Sequence, residues 1–312
     1  MFKKGSILLA FLLPFTFLSC EFPTTPPDPG DGTDEPKVIE MVADIYPGSG
    51  SSYPSSLRVY DGKLYFQGRD PAKGRELFVY DGTSEPSMVY DLNGGSLSSS
   101  PNYLTVYGKK LYFTASTATH GSELRVYDGS GPPSLVHDLI AGTDGGAPSF
   151  LTVYGGKLYF AADDGTSGFE LFVYDGTKDP YLVHDINAGA GSSYPSYLTV
   201  FDGKLYFEAD DGTSGSELWV YDGVNDPSLV ANVVSGSDGA NPAFLTVFDD
   251  KLYYRGRGAK AGYELWVYED GHDPPSLAAD IRSGDASSSS YPSNLTVYDG
   301  KLFFGANDAS GA

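Results

Sequence analysis

The sequence predicts an all-β chain folded as a β-propeller of about six blades, each a four-stranded antiparallel sheet, with the last blade composite or incomplete. Three observations lead there. A glutamate opening an E-L-x-V-Y run recurs at Glu76, Glu123, Glu170, Glu217 and Glu264, each 47 residues after the last, a period that suits four short strands per unit. The runs Leu-Tyr-Phe and Leu-Trp-Val-Tyr are almost continuously apolar, as expected of sheets covered on both faces. A lone four-stranded meander cannot shield both its faces, and radial stacking of copies leaves only short, protected edges. An open β-solenoid is the competing architecture, but its coils are usually shorter and rarely carry four turns.

The unit from Leu198 to Gly236 shows the parts. Strands are expected over Leu198–Phe201, Lys204–Ala209, Glu217–Tyr221 and Ser228–Val234. Asp202-Gly203 suits the positive φ of a two-residue hairpin, and Asp222-Gly223 opens a longer turn. No apolar stripe at helical spacing follows the first few residues, and Gly and Pro punctuation would break a long helix.

From the start of the chain, residues 1–19 read as a secretory leader: Lys3 and Lys4, the apolar run Ile7–Leu18 interrupted by Pro14, then Ser19. That run is too short for a spanning helix. Leu18-Ser19-Cys20 resembles the bacterial lipobox, with Phe17 at a position where that motif prefers Leu. The resemblance implies a lipidated Cys20, anchoring the chain in the bacterial cell envelope, at the outer membrane or cell surface. Ordinary secretion with an incidental thiol is the alternative. Cys20 is the only cysteine, so no intramolecular disulfide supports the core. Residues 20–37, rich in Pro, Asp and Gly, read as a solvated tether, and 38–312 as the folded domain.

Within that domain, complete units begin at Leu57, Leu104, Leu151, Leu198 and Leu245, and a partial one runs from Leu295 to Ala306. Val38–Ile45 reads as a fourth strand, which would close the ring by sharing a blade with the two last strands. That blade lacks a third strand, so either it is three-stranded or the array is a truncated version of a longer one.

The repeated string resembles a known family at Glu217-Leu218-Trp219-Val220-Tyr221-Asp222-Gly223. It is similar to the ELWxxDGT repeat, sometimes labelled hyalin-like, of secreted and surface bacterial proteins. Glu76–Thr83 and Glu170–Thr177 match with Phe for Trp, while Arg125 replaces the aromatic and Glu269 adds a residue before Asp270. The resemblance implies an extracytoplasmic propeller-like array and brings no catalytic motif.

Composition bounds the function. Forty per cent apolar and 14% aromatic residues in 312 supply a substantial core. A net charge of −21, near −23 once the leader lysines are gone, opposes binding to nucleic acid or an anionic membrane surface. Any membrane contact would therefore come through the lipid anchor alone.

In a meander, loops after strands two and four share one face, and here they are the longer, more variable ones. Tyr53, Phe169, Tyr194, Tyr263 and Tyr291 fall on it and could stack on a glycan or fill pockets of an extracellular protein; the plainer role is to seal gaps between blades. The same face carries Asp163, Asp164, Glu170, Asp185, Asp210, Asp211 and Glu217. Clustered carboxylates are hard ligands suited to Ca²⁺, though DDGTSG lacks the D-x-D-x-D-G spacing. The structural alternative is that these acids accept loop N–H bonds in every blade. No other cofactor is suggested.

Catalytic signatures are thin. There is no H-E-x-x-H, Walker loop or G-x-S-x-G, and the expected inner strands supply no acid. His137 and His184 fall at equivalent fourth-strand sites. The reading is therefore a non-catalytic surface propeller that presents a loop face. The alternatives are a glycan hydrolase using Asp163, Asp164, Asp210 and Asp211, or a purely structural array with bound calcium.

Overall fold

The computed structural model describes residues 41–271, 274–284 and 287–308; the leader, Cys20 and most of the tether lie outside them. Among the described residues every regular element is a strand. Blade 1 comprises β1 (Ser55–Tyr60), β2 (Lys63–Asp70), β3 (Gly74–Tyr80) and β4 (Ser87–Tyr90). Blade 2 has β5 (Asn102–Tyr107), β6 (Lys110–Thr117), β7 (Gly121–Tyr127) and β8 (Ser134–Leu135); blade 3 has β9 (Ser149–Tyr154), β10 (Lys157–Asp163), β11 (Phe169–Tyr174) and β12 (Tyr181–His184). Blade 4 follows with β13 (Ser196–Phe201), β14 (Lys204–Asp210), β15 (Ser216–Tyr221) and β16 (Ser228–Ala231). Blade 5 contains β17 (Ala243–Phe248), β18 (Lys251–Arg257), β19 (Tyr263–Tyr268) and β20 (Ser276–Ala279). The last sheet is only β21 (Ser293–Tyr298) and β22 (Lys301–Gly305). Each complete sheet is a sequential antiparallel meander, and the fold is a β-propeller.

The expected hairpin is present. Phe201 pairs with Lys204, and Asp202 and Gly203 between them have φ of 42° and 70°, the mirror-image turn whose twist matches paired strands. The inner strands pack in series, β1 on β5, β5 on β9, β9 on β13, β13 on β17 and β17 on β21. Threonine stitches them. The hydroxyls of Thr105, Thr152 and Thr199 donate to the carbonyls of Leu151, Leu198 and Leu245 in the next blade, at 3.1, 3.2 and 3.4 Å. In blade 1, Arg58 Nε takes over and reaches Leu104 O at 2.8 Å. Farther along each strand, Tyr60, Tyr107 and Tyr154 donate to the next blade's hairpin carbonyl.

The core lies between blades rather than within them. Tyr159, Leu171 and Val173 of blade 3 meet Leu198, Leu205, Phe207 and Trp219 of blade 4, with Ile186 closing the cluster. Leu111, Leu158, Leu205 and Leu252 are fully buried at one repeat position. Truncating any of them to Ala would cost about 2–5 kcal/mol.

Two expectations need correction. The fourth strand ends at Ala231, not Val234, because the backbone there turns to donate the Val234 N–H to the Glu217 carboxylate. Of the expected opening strand, residues 38–40 lie outside the described residues, and residues 41–54 contain no strand; β21 makes no contact with β1 comparable to those between the other neighbours.

Candidate binding face

Each inner strand begins with a bulge. Ser56, Tyr103, Phe150, Tyr197, Phe244 and Asn294 occupy one repeat position, with φ between 53° and 59°, and the ladder register slips there in every blade. A bulge re-aims the side chain it carries. Four aromatics thereby form a continuous ladder, Tyr103–Phe150 at 5.3 Å, Phe150–Tyr197 at 5.5 Å and Tyr197–Phe244 at 5.5 Å between ring centroids. Tyr103, Phe150 and Tyr197 line a cavity of about 430 Å³ together with the Leu-Thr pairs of the inner strands.

The sequence-predicted aromatics surround this ladder as two stacked pairs and a single ring. Phe169 stacks on Tyr194 (5.6 Å, 21°) and Tyr263 on Tyr291 (5.4 Å, 24°). Tyr53, Tyr194 and Tyr291 are more than half exposed. Phe169 and Tyr194 flank a groove of about 300 Å³ floored by Phe150 and bordered by Ser196, Glu208 and Ser216.

Two charged residues at this face were missed in the sequence. Burial pushes the Glu208 carboxyl up, against a hydrogen bond from Ser196 and the attraction of Arg255. The Arg255 guanidinium lies over Phe244 and Tyr263, 5.0 and 5.6 Å from their centroids, a cation–π arrangement. Its buried Nε has no partner among the described residues. A signal existed: the residue after the conserved-within-chain Leu-aromatic-aromatic run is Gln67, Thr114, Ala161, Glu208, Arg255 and Gly305 in turn, a variable position in an otherwise constant strand.

The acids do not converge. Among the described residues no group of three or more His, Cys, Asp or Glu is placed to hold a metal ion. Asp164 Oδ1 accepts from Thr166 N, Thr166 Oγ1 and Ser167 N, and Asp211 Oδ1 from Thr213 N, Thr213 Oγ1 and Ser214 N. Partial burial raises both carboxyls, but these bonds together outweigh it and hold them below the usual range. Asp163 and Asp210 accept from Gly165 N and Gly212 N, and Asp185 from Gly189 N.

Glu170 and Glu217 belong to a clamp repeated in five blades. Each third-strand glutamate is fully buried and receives N–H groups from the end of its own blade and from the loop leading to the next. Glu170 accepts from Ile186 N, Asn187 N, Ser193 N and Ser193 Oγ. Glu76 does the same with Leu92 N, Ser99 N and Ser99 Oγ. The clamp fastens one blade to the next. His137 and His184 pair with Asp179 and Asp226 of the following blade at 3.2 and 3.3 Å.

No family model and no curated protein sequence matches this chain. Among solved structures it is similar to a puromycin-hydrolyzing peptidase of Mycobacterium tuberculosis (14% identity, TM-score 0.52), covering 80% of this chain and 41% of that one. A puromycin hydrolase matches at 13% identity and TM-score 0.53, over 86% of this chain and 46% of that one. A structure from a study of two prolyl endopeptidases matches at 13% identity and TM-score 0.52, over 79% and 37%. This chain thus spans less than half the length of each. At such identities the likeness concerns the propeller scaffold alone.

Proposed function

We propose that this chain is a non-catalytic surface propeller, held in the bacterial envelope through a lipidated Cys20, that binds extracellular glycan or protein on its bulged-strand face. The observation that carries the reading is the aromatic ladder from Tyr103 to Phe244, flanked by the exposed Phe169–Tyr194 and Tyr263–Tyr291 stacks. Rigid rings on a fixed scaffold offer contact area at little entropic cost. Their faces suit the C–H faces of sugars or the side chains of a partner, while Glu208 and Arg255 offer directional polar contacts. The four aspartates that a hydrolase reading rests on, Asp163, Asp164, Asp210 and Asp211, accept backbone N–H groups of their own loops. Asp164 and Asp211 cap their own loops with lowered pKa, whereas a general acid needs a raised one.

The test is a glycan array and an envelope-protein overlay with the purified protein, run beside a hydrolysis assay on every glycan retained. Binding without turnover, lost in Phe150→Ala, supports the reading; released product removes it. Anchoring is tested separately by palmitate labelling, which should disappear in Cys20→Ala.

A further inference from the structure

Each second strand carries one side chain opposite the bulged start of its blade's first strand, and the chemistry of that side chain changes around the array. The cross-strand pairs are Gln67–Ser55, Thr114–Asn102, Ala161–Ser149, Glu208–Ser196 and Arg255–Ala243 in the five complete blades. Glu208 is the one acid in the series.

Its setting is the junction of blades 3 and 4, which has a complete blade on either side. Blade 3 presents the small residues Ala161 and Ser149 to this junction, and a groove of about 300 Å³ opens between the two blades. Phe150, Phe169, Tyr194 and Pro195 line it, and the Phe169–Tyr194 stack leaves Tyr194 64% exposed. At the other junctions between complete blades, the residues equivalent to Phe169 and Tyr194 are Arg75 and Ser100, Ser122 and Ala147, and Ser216 and Asn241. An aromatic stack, a small facing residue and a carboxylate therefore coincide at one of these four junctions.

The carboxylate lacks a close counter-ion. Burial pushes Glu208 up, opposed by hydrogen bonds from Ser196 and Ser216 and by the attraction of Arg255, while Asp210 adds repulsion. Glu208 forms no ion pair among the described residues, because the Arg255 guanidinium lies instead over the rings of Phe244 and Tyr263. Partial exclusion of water strengthens the pull of such a carboxylate on an incoming cation. Aromatic faces attract a cation further, and a net charge of −21 draws cations toward the surface.

The other polar groups of the groove bear on what carries that cation. Ser149, Ser196 and Ser216 all line it. A linear alkylammonium chain such as a lysine side chain has no use for three hydroxyls, whereas a sugar sets its C–H face on a ring and its own hydroxyls against polar side chains. The volume, at the small end of ligand sites, suits a single sugar unit.

We propose that the groove between blades 3 and 4 is a subsite for a glycan bearing a free amino group, whose ammonium meets Glu208 while its C–H face lies on the Phe169–Tyr194 stack. The assignment rests on the reading of this face as a binding face and specifies the ligand it takes.

The probes are tetraglucosamine and its fully N-acetylated counterpart, which share a sugar skeleton and differ in charge, titrated calorimetrically into the full chain. Tetraglucosamine should bind saturably and about tenfold or more tightly than the acetylated form, the worth of a charge-assisted hydrogen bond. Glu208→Gln, which keeps the shape of the side chain, should erase that preference. Tyr194→Ala should weaken both ligands. Asp226→Asn, an exposed acid in the turn between β15 and β16 on the opposite face, should bind as the parent does, and melting temperatures check that each variant is folded. Tetraglucosamine binding that survives in both Glu208→Gln and Tyr194→Ala shows adsorption elsewhere on the acidic surface and overturns the proposal. Tetralysine that binds as tightly as tetraglucosamine overturns it as well, by making the occupant a protein side chain. A neutral glycan that binds through Tyr194 and equally well in Glu208→Gln overturns the amino-sugar assignment alone and leaves the binding face standing; failure of every glycan and protein probe to bind removes both.

Discussion

Glu217 and Ala240 make one of two carboxylate clamps in which a buried oxygen goes unpaired. Ala240 donates its N–H to Glu217 Oε1 at 3.2 Å, and the buried Oε2 has no hydrogen-bond partner. In three other clamps a serine stands at this position, and Ser99, Ser193 and Ser290 each donate a hydroxyl to the second carboxylate oxygen. Gly146 leaves Glu123 Oε2 in the same state as Ala240 leaves Glu217.

Ala240→Ser should therefore stabilise the protein. The backbone is already placed as at Ser193, and a hydrogen bond to a buried charged group contributes about 1.5–3 kcal/mol. Urea denaturation of the variant should show a higher midpoint with an unchanged slope. Ser193→Ala, which strips the same bond from Glu170, should lower the midpoint.

The clamp also sets a pH dependence. Burial pushes the Glu217 carboxyl up to about 7, against the N–H groups of Val234, Val233 and Ala240 and the attraction of Arg257. A folded state with the higher pKa binds more protons than the unfolded chain between about pH 4.5 and 7, so stability falls as pH rises through that window. Glu76, Glu123 and Glu170 are raised as well, again by burial. At the acid end the sign reverses. Backbone N–H groups of Lys178 and Thr177 hold Asp175 down at about 2, so its contribution is lost as pH drops below the ordinary aspartate range. Melting temperatures measured from pH 3 to 8 should peak near about pH 4–5, and Ala240→Ser should flatten the decline on the alkaline side.

Much of this architecture is legible in the repeat. The period reports the blades, and Asp202-Gly203 reports the hairpin, because positive φ restricts residue choice. The clamp was half visible: a glutamate recurring in an apolar strand signals a buried acceptor, but its donors are backbone N–H groups, which any residue supplies. Bulges hide for a related reason. Tyr103, Phe150, Tyr197 and Phe244 adopt φ near 55° that no side chain there announces, so the strand starts looked like loop and the ladder went unread. Val38–Ile45 resembles a fourth strand because Asp44-Ile45 repeats Asp185-Ile186, yet the described part of it, residues 41–45, forms no strand.

The hairpins offer a second stability test. In blade 5 the turn is Asp249-Asp250, with φ of 50° and 54°, and Lys251 pairs with Phe248. The second position is glycine in the Asp61-Gly62, Asp202-Gly203 and Asp299-Gly300 turns. A left-handed conformation costs an L-residue about 1–2 kcal/mol, partly returned by the greater freedom of unfolded glycine. Asp250→Gly should raise the melting temperature by a few degrees, and Gly203→Asp should lower it.

Arg125 is the one cation at a third-strand position held by Phe78, Phe172, Trp219 and Trp266 in the other complete blades. It is 5% exposed, its Nε is unpaired among the described residues, and one bond runs from Nη2 to Thr117 Oγ1 at 3.1 Å. Burial lowers its pKa, with Glu123 and Asp138 opposing. Replacing a buried charge with a well-packed apolar group is commonly neutral or stabilising by about 1–4 kcal/mol. Arg125→Phe should match or exceed the parent in chemical denaturation; a loss of more than about 1 kcal/mol would show that the guanidinium is better compensated than its contacts indicate.

The binding face can be separated from the scaffold by comparing Tyr194 with Leu205. Tyr194 is 64% exposed and rests on Phe169, whereas Leu205 is 0% exposed inside the blade 3–4 core. Tyr194→Ala removes ring area from the groove bordered by Glu208 without opening a core cavity, so stability should change by less than about 1 kcal/mol, within the range of an aromatic pair. Leu205→Ala should cost about 2–5 kcal/mol and leave affinity for a ligand of the face nearly unchanged in the fraction that remains folded. Titration of the retained glycan or protein against both variants reads the difference. Were Tyr194→Ala to bind as the parent does while Phe150→Ala does not, the site would contract to the ladder from Tyr103 to Phe244, and the outer stacks would serve only to seal adjoining blades.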